Sequence, residues 1–261
     1  MHQPDHQHIG EDRIIGEGSF SKVYLAKWRE TFVVAKVLDP EIINEKKEIV
    51  MREFDIMTKL HHPNIVQVLG YVNNPFIIVL EYIPNQDLTT NIHTLTKKQK
   101  INITKDILRG LIYIHNRKPN NLIHRDIKPT NILLTNSKVA KISDFGLSKF
   151  YTFKMAPSNN DLENICNHNN YLELTNYVGT ERYMAPEILQ RKEYDYTSDI
   201  YSCGILLYEL FENKRYIPTE KMKWYWCPKK LRDIIKNNML YYDKNKRLNA
   251  TQLIQMINNI Y

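Results

Sequence analysis

Three side chains that end in oxygen donors stand close together in the middle of the sequence. Asp126 and Asn131 are five residues apart in the stretch HRDIKPTN, and Asp144 follows in KISDFG. Such oxygens suit Mg²⁺, which proteins typically bind through one or two carboxylates together with substrate phosphates. One of the two acids can remain off the metal and orient a hydroxyl group. The pattern predicts phosphate chemistry, although each acid alone is also typical of a turn or helix cap.

A second set of candidates lies nearer the N-terminus. Gly16 and Gly18, in GEGSFSKVY, stand between apolar segments and would let the backbone approach a phosphate closely, although a glycine hairpin without a ligand has the same letters. A strand follows these glycines and no Gly-Lys-Ser/Thr closes them, which excludes a dinucleotide fingerprint and a Walker A loop. Lys36, in VVAKVL, either reaches solvent from a sheet edge or grips phosphate with a carboxylate such as Glu53 as its partner.

The elements that must position these residues follow from the hydrophobic periodicity. Up to about residue 82 the pattern predicts a small sheet with one helix, and after Pro84 it becomes mainly helical. The predicted strands are in 13–28, 31–38, 65–72 and 76–83. The predicted helices are 41–60, 96–117, 198–211, 229–240 and 249–261. Ser198 and Asp199 are candidates for the N-terminal cap of the third of these helices.

Composition excludes several classes of protein. The 261 residues, 43% of them hydrophobic, suffice for one large core or two lobes sharing a cleft. The net charge of +7 comes from scattered Lys and Arg, which favours a solvated surface over a nucleic-acid site. Three cysteines without a C-x-x-C motif indicate neither structural zinc nor a disulfide framework. No signal peptide or run of 18 apolar residues is present, so we expect an intracellular protein, in the cytoplasm or alternatively the nucleus.

The motifs, taken in order, resemble those of a eukaryotic-type protein kinase catalytic domain from about Ile14 to the C-terminus. They comprise the Gly-rich loop GEGSFSKV, Lys36 with Glu53, the catalytic loop HRDIKPTN, the metal motif DFG, the segment end APE, the helix SDIYSCG, and Arg247 as the partner of Glu187. Each motif alone is weak, but their order and separations together are specific.

The resemblance implies an α+β, bilobal protein kinase fold. A small antiparallel-sheet N-lobe with one main helix, at about 14–82, precedes a larger and mainly helical C-lobe at about 83–261. Residues 1–13 would form a short N-terminal tail, and 144–187 the activation segment. The stretch 158–176 holds seven Asn in nineteen residues and predicts a long loop.

The resemblance also implies ATP as a substrate and Mg²⁺, or alternatively Mn²⁺, held by Asn131 and Asp144. Asp126 would orient the substrate hydroxyl, Lys128 would neutralise the γ-phosphate, and Lys36, held by Glu53, would contact the α- and β-phosphates. The implied ATP-binding residues are Ile15, Gly16, Glu17, Gly18, Ser19, Phe20, Ser21, Val23, Val34, Lys36, Leu80, Glu81, Ile83 and Leu133. Among these, Ile83 would offer hinge backbone groups to adenine, Val23 and Leu133 would enclose the ring, and Leu80 would be the gatekeeper.

Three positions depart from the family pattern. Ser21 replaces the third glycine of the loop, and Tyr201 replaces the usual Trp of the SDIYSCG helix. Val34 stands where the family usually has Ala, two residues before Lys36, which places a larger side chain against the adenine. All the charged catalytic positions are kept.

Lys128 and Thr180 are typical of the serine/threonine kinases, so the resemblance predicts Ser or Thr hydroxyls of protein substrates as acceptors. Arg125 with Lys149 would form a cationic pocket that a phosphate could order. Thr175 and Tyr177 are the candidate sites of that phosphorylation, although both hydroxyls also fit a plain polar loop.

Two alternatives remain open from the sequence. A pseudokinase-like scaffold would bind nucleotide or partners without catalysis, and only Val34 favours it. A basic nucleic-acid-binding domain would rest on the charge of +7 alone, without a basic and aromatic stripe. We expect no nucleic-acid partner, no membrane span, and targeting through the catalytic domain itself or its partners.

Overall fold

The computed structural model describes residues 10–18, 21–40, 51, 54–118, 121–145, 149–151 and 181–261. Most of the predicted helix 41–60 therefore lies outside the described residues, and within it residues 54–58 are helical. The Asn-rich stretch 158–176 also lies outside them.

The N-terminal part is a five-stranded antiparallel sheet in the order β1-β2-β3-β5-β4. Its strands are β1 (Gly10–Gly18), β2 (Ser21–Trp28), β3 (Thr31–Leu38), β4 (Val68–Val72) and β5 (Ile77–Glu81). Strand β1 begins four residues before residue 14, at which we expected the domain to start, and the division into lobes stays a prediction.

Alternation along β3 gives the sheet two faces. Val33 and Ala35 are buried in a small apolar cluster with β2 and β5, whereas Val34 and Lys36 are only partly buried. Because successive side chains on a strand point to opposite faces, Val34 and Lys36 share the face opposite that cluster. The register places Val34 between Leu25 and Leu80.

Four short strands follow the sheet in the C-terminal part. They pair antiparallel as two ribbons: β6 (Asn121–Ile123) with β9 (Lys149–Tyr151), and β7 (Ile132–Leu134) with β8 (Ala140–Ile142). The helices of this part are α1 (Leu88–Asn91), α2 (Lys97–His115), α3 (Pro186–Leu189), α4 (Thr197–Glu212), α5 (Lys229–Ile234) and α6 (Ala250–Asn258).

Local signals account for several helix ends. Thr96 with Gln99 forms a capping box at the start of α2, and Asn249 with Gln252 forms another at the start of α6. After α5 the chain continues as a π-helical segment, Ile235–Met239, so the predicted helix 229–240 is regular only in its first half.

The predicted caps of α4 are wrong. The N-cap position is Tyr196, which makes no side-chain capping hydrogen bond, and the carboxylate of Asp195 instead accepts from the Thr197 amide at 2.8 Å. Ser198 donates to the Asp195 carbonyl. Asp199 lies inside the first turn of α4, and its carboxylate accepts from the backbone amides of His124 and Arg125.

The sheet is joined to the helical part behind β8. The Ile142 amide donates to the Asn64 carbonyl and the Val66 amide donates to the Ile142 carbonyl, both at 2.9 Å. At the same place Gly110 brings α2 so close that an added Cβ would lie 2.7 Å from an Ile142 methyl and 3.1 Å from the Asn64 carbonyl. The predicted combination of a small antiparallel sheet and a mainly helical remainder is confirmed, and the sheet has five strands.

No helix within the described ranges is long and apolar enough to cross a bilayer.

Candidate active site

The β7–β8 ribbon brings Asn131 and Asp144 together. Ile132 pairs with Ile142 at the open end of the ribbon, so the residues just outside it, Asn131 and Ser143, face each other. Ser143 donates to the Asn131 carbonyl twice, from its amide at 2.9 Å and from its hydroxyl at 3.0 Å. Asp144 follows directly with a φ of 59°, a left-handed conformation that Asp tolerates better than most residues.

Asp126 is buried, and its two carboxylate oxygens differ. Oδ2 accepts from the Asn131 amide nitrogen at 2.8 Å and lies 2.7 Å from the Lys128 ammonium. Oδ1 is buried and has no hydrogen-bond partner within the described part of the chain. A buried carboxylate oxygen without a partner is costly, so it is a place where a donor from outside would be stabilising.

His124 is a buried residue that helps to hold Asp126 in place. Its ring is fully buried, its Nδ1 accepts from the Asp126 amide at 3.2 Å, and its Nε2 lies 3.0 Å from the Ser143 carbonyl. With Nδ1 as the acceptor, Nε2 is the ring nitrogen that donates to the Ser143 carbonyl. The imidazole therefore links the segment that carries Asp126 to the segment that carries Asp144. The Phe145 ring packs edge-on against it, with ring centroids 4.7 Å apart.

Asp199 anchors this loop from helix α4. Its carboxylate accepts from the backbone amides of His124 and Arg125, both at 2.8 Å, across more than 70 residues of sequence. Arg125 has a φ of 69°, which for a residue other than glycine is strained and needs such support.

His115, the last residue of α2, completes the anchor. Its Nε2 lies 2.8 Å from Asp199, and both side chains are buried. Burial alone would raise the pKa of Asp199, but the hydrogen bond and charge of His115, together with the backbone amide of His124, lower it below the ordinary value of 3.8. Asp199 is therefore an ionised group inside the core.

Lys36 faces Asp144 across the space between the sheet and the helical part. The ammonium and the carboxylate lie 3.5 Å apart, and about half of the Asp144 side chain is exposed. The Lys36 charge lowers the pKa of Asp144 below its ordinary value, against the opposing effect of burial. Glu53, the expected partner of Lys36, lies outside the described residues.

A cleft of about 940 Å³ opens between the sheet and the helical part. Most of the predicted ATP-binding residues line it: Ile15, Gly16, Glu17, Ser21, Val23, Val34, Lys36, Leu80, Glu81, Ile83 and Leu133. The two predicted metal ligands, Asn131 and Asp144, also line it. Ser19 and Phe20 lie outside the described residues, and of Gly18 only its place in β1 is described.

Asp126 and Lys128 do not line this large cleft. Lys128 lines a neighbouring cavity, and Thr130 lines both. Lys128 and Thr130 thus stand where the two open spaces meet, whereas Asp126 lines neither of them.

Several residues that contribute to the cleft were missed by the sequence reasoning. Met57, Val66 and Phe145 line it as apolar residues, and Tyr82 lies beside Ile83. These residue types are common in hydrophobic cores, so the periodicity of the sequence did not distinguish these positions from core positions. The side chain of Glu81 also makes two hydrogen bonds within the protein. It accepts from the Gln67 amide at 2.8 Å and from the Lys141 ammonium at 2.6 Å.

The proposed regulatory residues are only partly described. Thr175 and Tyr177 lie outside the described residues. Lys149 is the first residue of β9 and pairs with Ile123, which precedes Arg125 by two residues. The side chain of Lys149 is not described. The Arg125 guanidinium donates to the Tyr194 hydroxyl at 3.1 Å. A role for these residues in control stays a prediction.

Glu187 and Arg247 form the ion pair that the resemblance implies. Two guanidinium nitrogens donate to the two carboxylate oxygens at 2.6 and 2.7 Å, and both residues are buried. The other donors of Arg247 reach the carbonyls of Tyr241, Thr197 and Tyr242. This pair fixes α3 against the segment that precedes α6.

The ligand chemistry fits a magnesium ion that is held together with phosphates. Within the described ranges, no three His, Cys, Asp or Glu residues cluster as an all-protein metal cage. Asn131 donates both hydrogen bonds from its amide nitrogen to Asp126, which leaves its amide oxygen as a ligand. With the half-exposed Asp144 carboxylate this makes two oxygen donors, as Mg²⁺ sites completed by substrate phosphates require.

Comparison with known proteins agrees with this geometry. The family model for the protein kinase domain matches residues 9–257. The chain is 38% identical over 210 residues to serine/threonine-protein kinase VIK of Arabidopsis thaliana, with 77% of this chain and 45% of that protein covered.

Two further relatives show how widely the similarity extends. Serine/threonine-protein kinase CTR1 of Arabidopsis thaliana is 33% identical, with 75% of this chain and 23% of that protein covered. The probable serine/threonine-protein kinase gdt4 of Dictyostelium discoideum is 35% identical, with 80% and 12% covered. The chain thus spans less than half the length of these relatives. Because the family model covers most of the chain, the chain belongs to the protein kinase domain family.

Proposed function

We propose that this member of the protein kinase domain family transfers the γ-phosphate of ATP to Ser or Thr hydroxyls of protein substrates. The observation that carries the proposal is the Asp126 carboxylate, which is buried, held through one oxygen, and unpartnered at the other within the described residues. A substrate hydroxyl would donate a hydrogen bond to this second oxygen.

Asp126 would act by orientation as much as by basicity. Its Oδ2 is fixed by Asn131 and Lys128, so Oδ1 has a defined position toward an incoming hydroxyl. Phosphoryl transfer depends mainly on positioning and on stabilising charge, and an aspartate in this role accepts the hydroxyl proton. The Lys128 ammonium, 2.7 Å from Asp126, stands where it can also offset negative charge on the transferred group.

Lys36, Asn131 and Asp144 would hold the phosphate end of the nucleotide. Lys36 offers a cation in the cleft, and Asn131 and Asp144 would hold Mg²⁺. The metal ion, when bound, would neutralise charge on the phosphates and so lower the barrier to transfer. The depressed pKa of Asp144 keeps its carboxylate ionised at neutral pH, as a metal ligand must be.

The apolar walls of the cleft would take the adenine. Val23 and Val34 project from the sheet and Leu133 from β7, while Leu80 and Ile83 lie where the sheet meets the helical part. Lys128 supports Ser or Thr as the acceptor, because this residue is typical of the serine/threonine kinases that the chain resembles.

A pseudokinase-like scaffold is the second candidate, and Val34 is the observation that favours it. Val34 lines the cleft between Leu25 and Leu80, and it reduces the space for the base relative to Ala. The scaffold function predicts nucleotide binding without transfer.

The decisive experiment compares the wild-type chain with Asp144→Asn in a peptide-library assay with Mg-ATP. We expect phosphate incorporation on Ser and Thr by the wild type and a loss of about a thousandfold in the variant, since a metal ligand is removed. Equal background phosphate incorporation by both proteins would contradict the proposed kinase activity. A thermal shift with ATP in the absence of incorporation would support the scaffold.

A further inference from the structure

A second cavity, of about 410 Å³, adjoins the catalytic loop. Lys128 and Thr130 form its wall on the catalytic side, and Thr130 also lines the nucleotide cleft. A side chain placed in this second cavity would therefore lie close to a hydroxyl that Asp126 orients. The position suits a residue of the substrate that flanks the acceptor.

The described lining of this cavity is strongly cationic. It contains Lys128, Arg182, Lys214 and Arg215 but only one acid, Glu209, and His93 adds an imidazole. A concave surface of one charge sign attracts a ligand group of the other sign.

The single acid is already engaged within the protein. Glu209 is only 5% exposed. Its Oε2 accepts from the Tyr183 hydroxyl and its Oε1 from the Tyr216 amide, both at 2.8 Å. The Arg182 Nε also lies near this carboxylate, 3.7 Å from Oε1. Glu209 therefore has little capacity to attract a basic side chain from a substrate.

The cations, by contrast, retain donor capacity. Arg182 lies against the Tyr183 ring with its guanidinium carbon 4.9 Å from the centroid and donates from Nη2 to the Tyr183 hydroxyl at 3.2 Å, which leaves Nη1 without a hydrogen-bond partner among the described residues. Arg215 is exposed. Lys214 is 3.3 Å from the exposed Glu220, a surface ion pair of the kind that contributes little and is easily exchanged.

We propose that this cavity binds an anionic side chain of the protein substrate, a carboxylate or a phosphate, beside the Ser or Thr that is phosphorylated. The inference rests on the proposed function and adds the substrate class. Arginine guanidinium groups match both anions through paired N–H donors. A basic side chain at the same place would face Arg182, Lys214 and Arg215, while the one acid of the described lining, Glu209, is already engaged.

The test uses peptides with one Ser acceptor in a neutral background. At each flanking position the peptides carry Glu, its neutral isostere Gln, phosphoserine or Arg, and kcat/KM is measured with Mg-ATP. We expect Glu or phosphoserine at one or more positions to exceed Gln by about five- to tenfold, the size of one or two partly exposed charge pairs. The Glu and phosphoserine peptides distinguish the two sources of the anion.

Variants assign the preference to the cavity. In Lys214→Ala/Arg215→Ala the advantage of the anionic peptides over Gln should fall to within about twofold. The matched variant Lys229→Ala/Lys230→Ala removes two exposed cations outside the cavity and should keep the full advantage.

The outcomes separate this inference from the function beneath it. Peptides phosphorylated with equal efficiency, or best with Arg, would overturn the anionic site and leave the kinase in place. An anionic preference that survives the loss of Lys214 and Arg215 would overturn its assignment to this cavity. No incorporation into any peptide would contradict the proposed kinase function and this inference with it.

Discussion

The pair Glu187–Arg247 and the pair Asp126–Lys128 are equally buried at the carboxylate, with 7% of each acid exposed, yet they are built differently. In the first pair, both carboxylate oxygens bind the guanidinium and the remaining Arg247 donors reach carbonyls. In the second pair, one oxygen of Asp126 has no partner within the described residues.

The difference separates a charge that holds the fold from a charge that is kept for a ligand. A fully paired buried charge is strongly destabilising to break, because the partner left behind is uncompensated. A half-paired charge gives the fold less and retains capacity for another molecule. Changes at the first pair should therefore reduce stability, and changes at the second should reduce activity.

Asp126→Asn should show the largest effect, on activity. We expect kcat/KM for peptide phosphorylation to fall about a thousandfold or more, because the group proposed to accept the substrate hydroxyl's proton is lost. The free energy of unfolding, measured by urea denaturation, should stay within about 1 kcal/mol of wild type, since Asn retains the shape and removes a buried charge. A destabilisation as large as that of Arg247→Met would erase the distinction between the two pairs.

Arg247→Met should show the next largest effect, on stability. Removing the guanidinium leaves Glu187 buried without its partner, which should lower the free energy of unfolding by about 3 kcal/mol. Lys246→Met, at the exposed neighbouring position, is the matched control and should change it by less than about 0.5 kcal/mol. Adding Glu187→Gln to Arg247→Met should recover part of the loss, and no recovery would show that the charge is not its cause.

Asp199→Asn should show a smaller effect that depends on pH. The pKa of Asp199 in the folded protein lies below its ordinary value of 3.8, so ionised Asp199 stabilises the fold above that pH, and this stabilisation is lost as the pH falls through the folded value. We expect the variant to be less stable by about 2 kcal/mol at pH 7, with the difference shrinking below pH 4.

Urea denaturation of both proteins between pH 7 and pH 3 measures this convergence. Asp233→Asn, with a half-exposed side chain, is the control and should show no comparable change. A constant difference between wild type and Asp199→Asn at every pH would mean that packing, and not charge, anchors the loop.

Local patterns in the sequence predict most of the sheet and helices. The β-branched run of β3 and the periodicity of α2 are both read from neighbouring residues, and the structure has them at Thr31–Leu38 and Lys97–His115. The order of motifs assigned Lys36, Asn131 and Asp144 to one site by resemblance; the structure has all three along one cleft, and their roles stay predictions.

The failures concern contacts that the local pattern does not contain. Asp199 was a candidate cap because Asp is a favoured capping residue and stands at the predicted start of the helix, but its partners are amides 74 and 75 residues away. His115 carried no signal beyond its place at a helix end, yet it completes that anchor. The second, cationic cavity also draws its lining from separate segments between Thr89 and Arg215 and has no single motif.

The two hydrogen bonds between Ile142 and the segment 64–66 join the two sides of the cleft at one edge. Together with the contact of Lys141 and Glu81 they tether the sheet to the helical part along the back of the cleft. A body held at one edge can move against its neighbour only by rotation about that edge. Rotation about that edge would leave the inner end of the cleft, beside Val66, nearly unchanged and would widen or narrow its outer end.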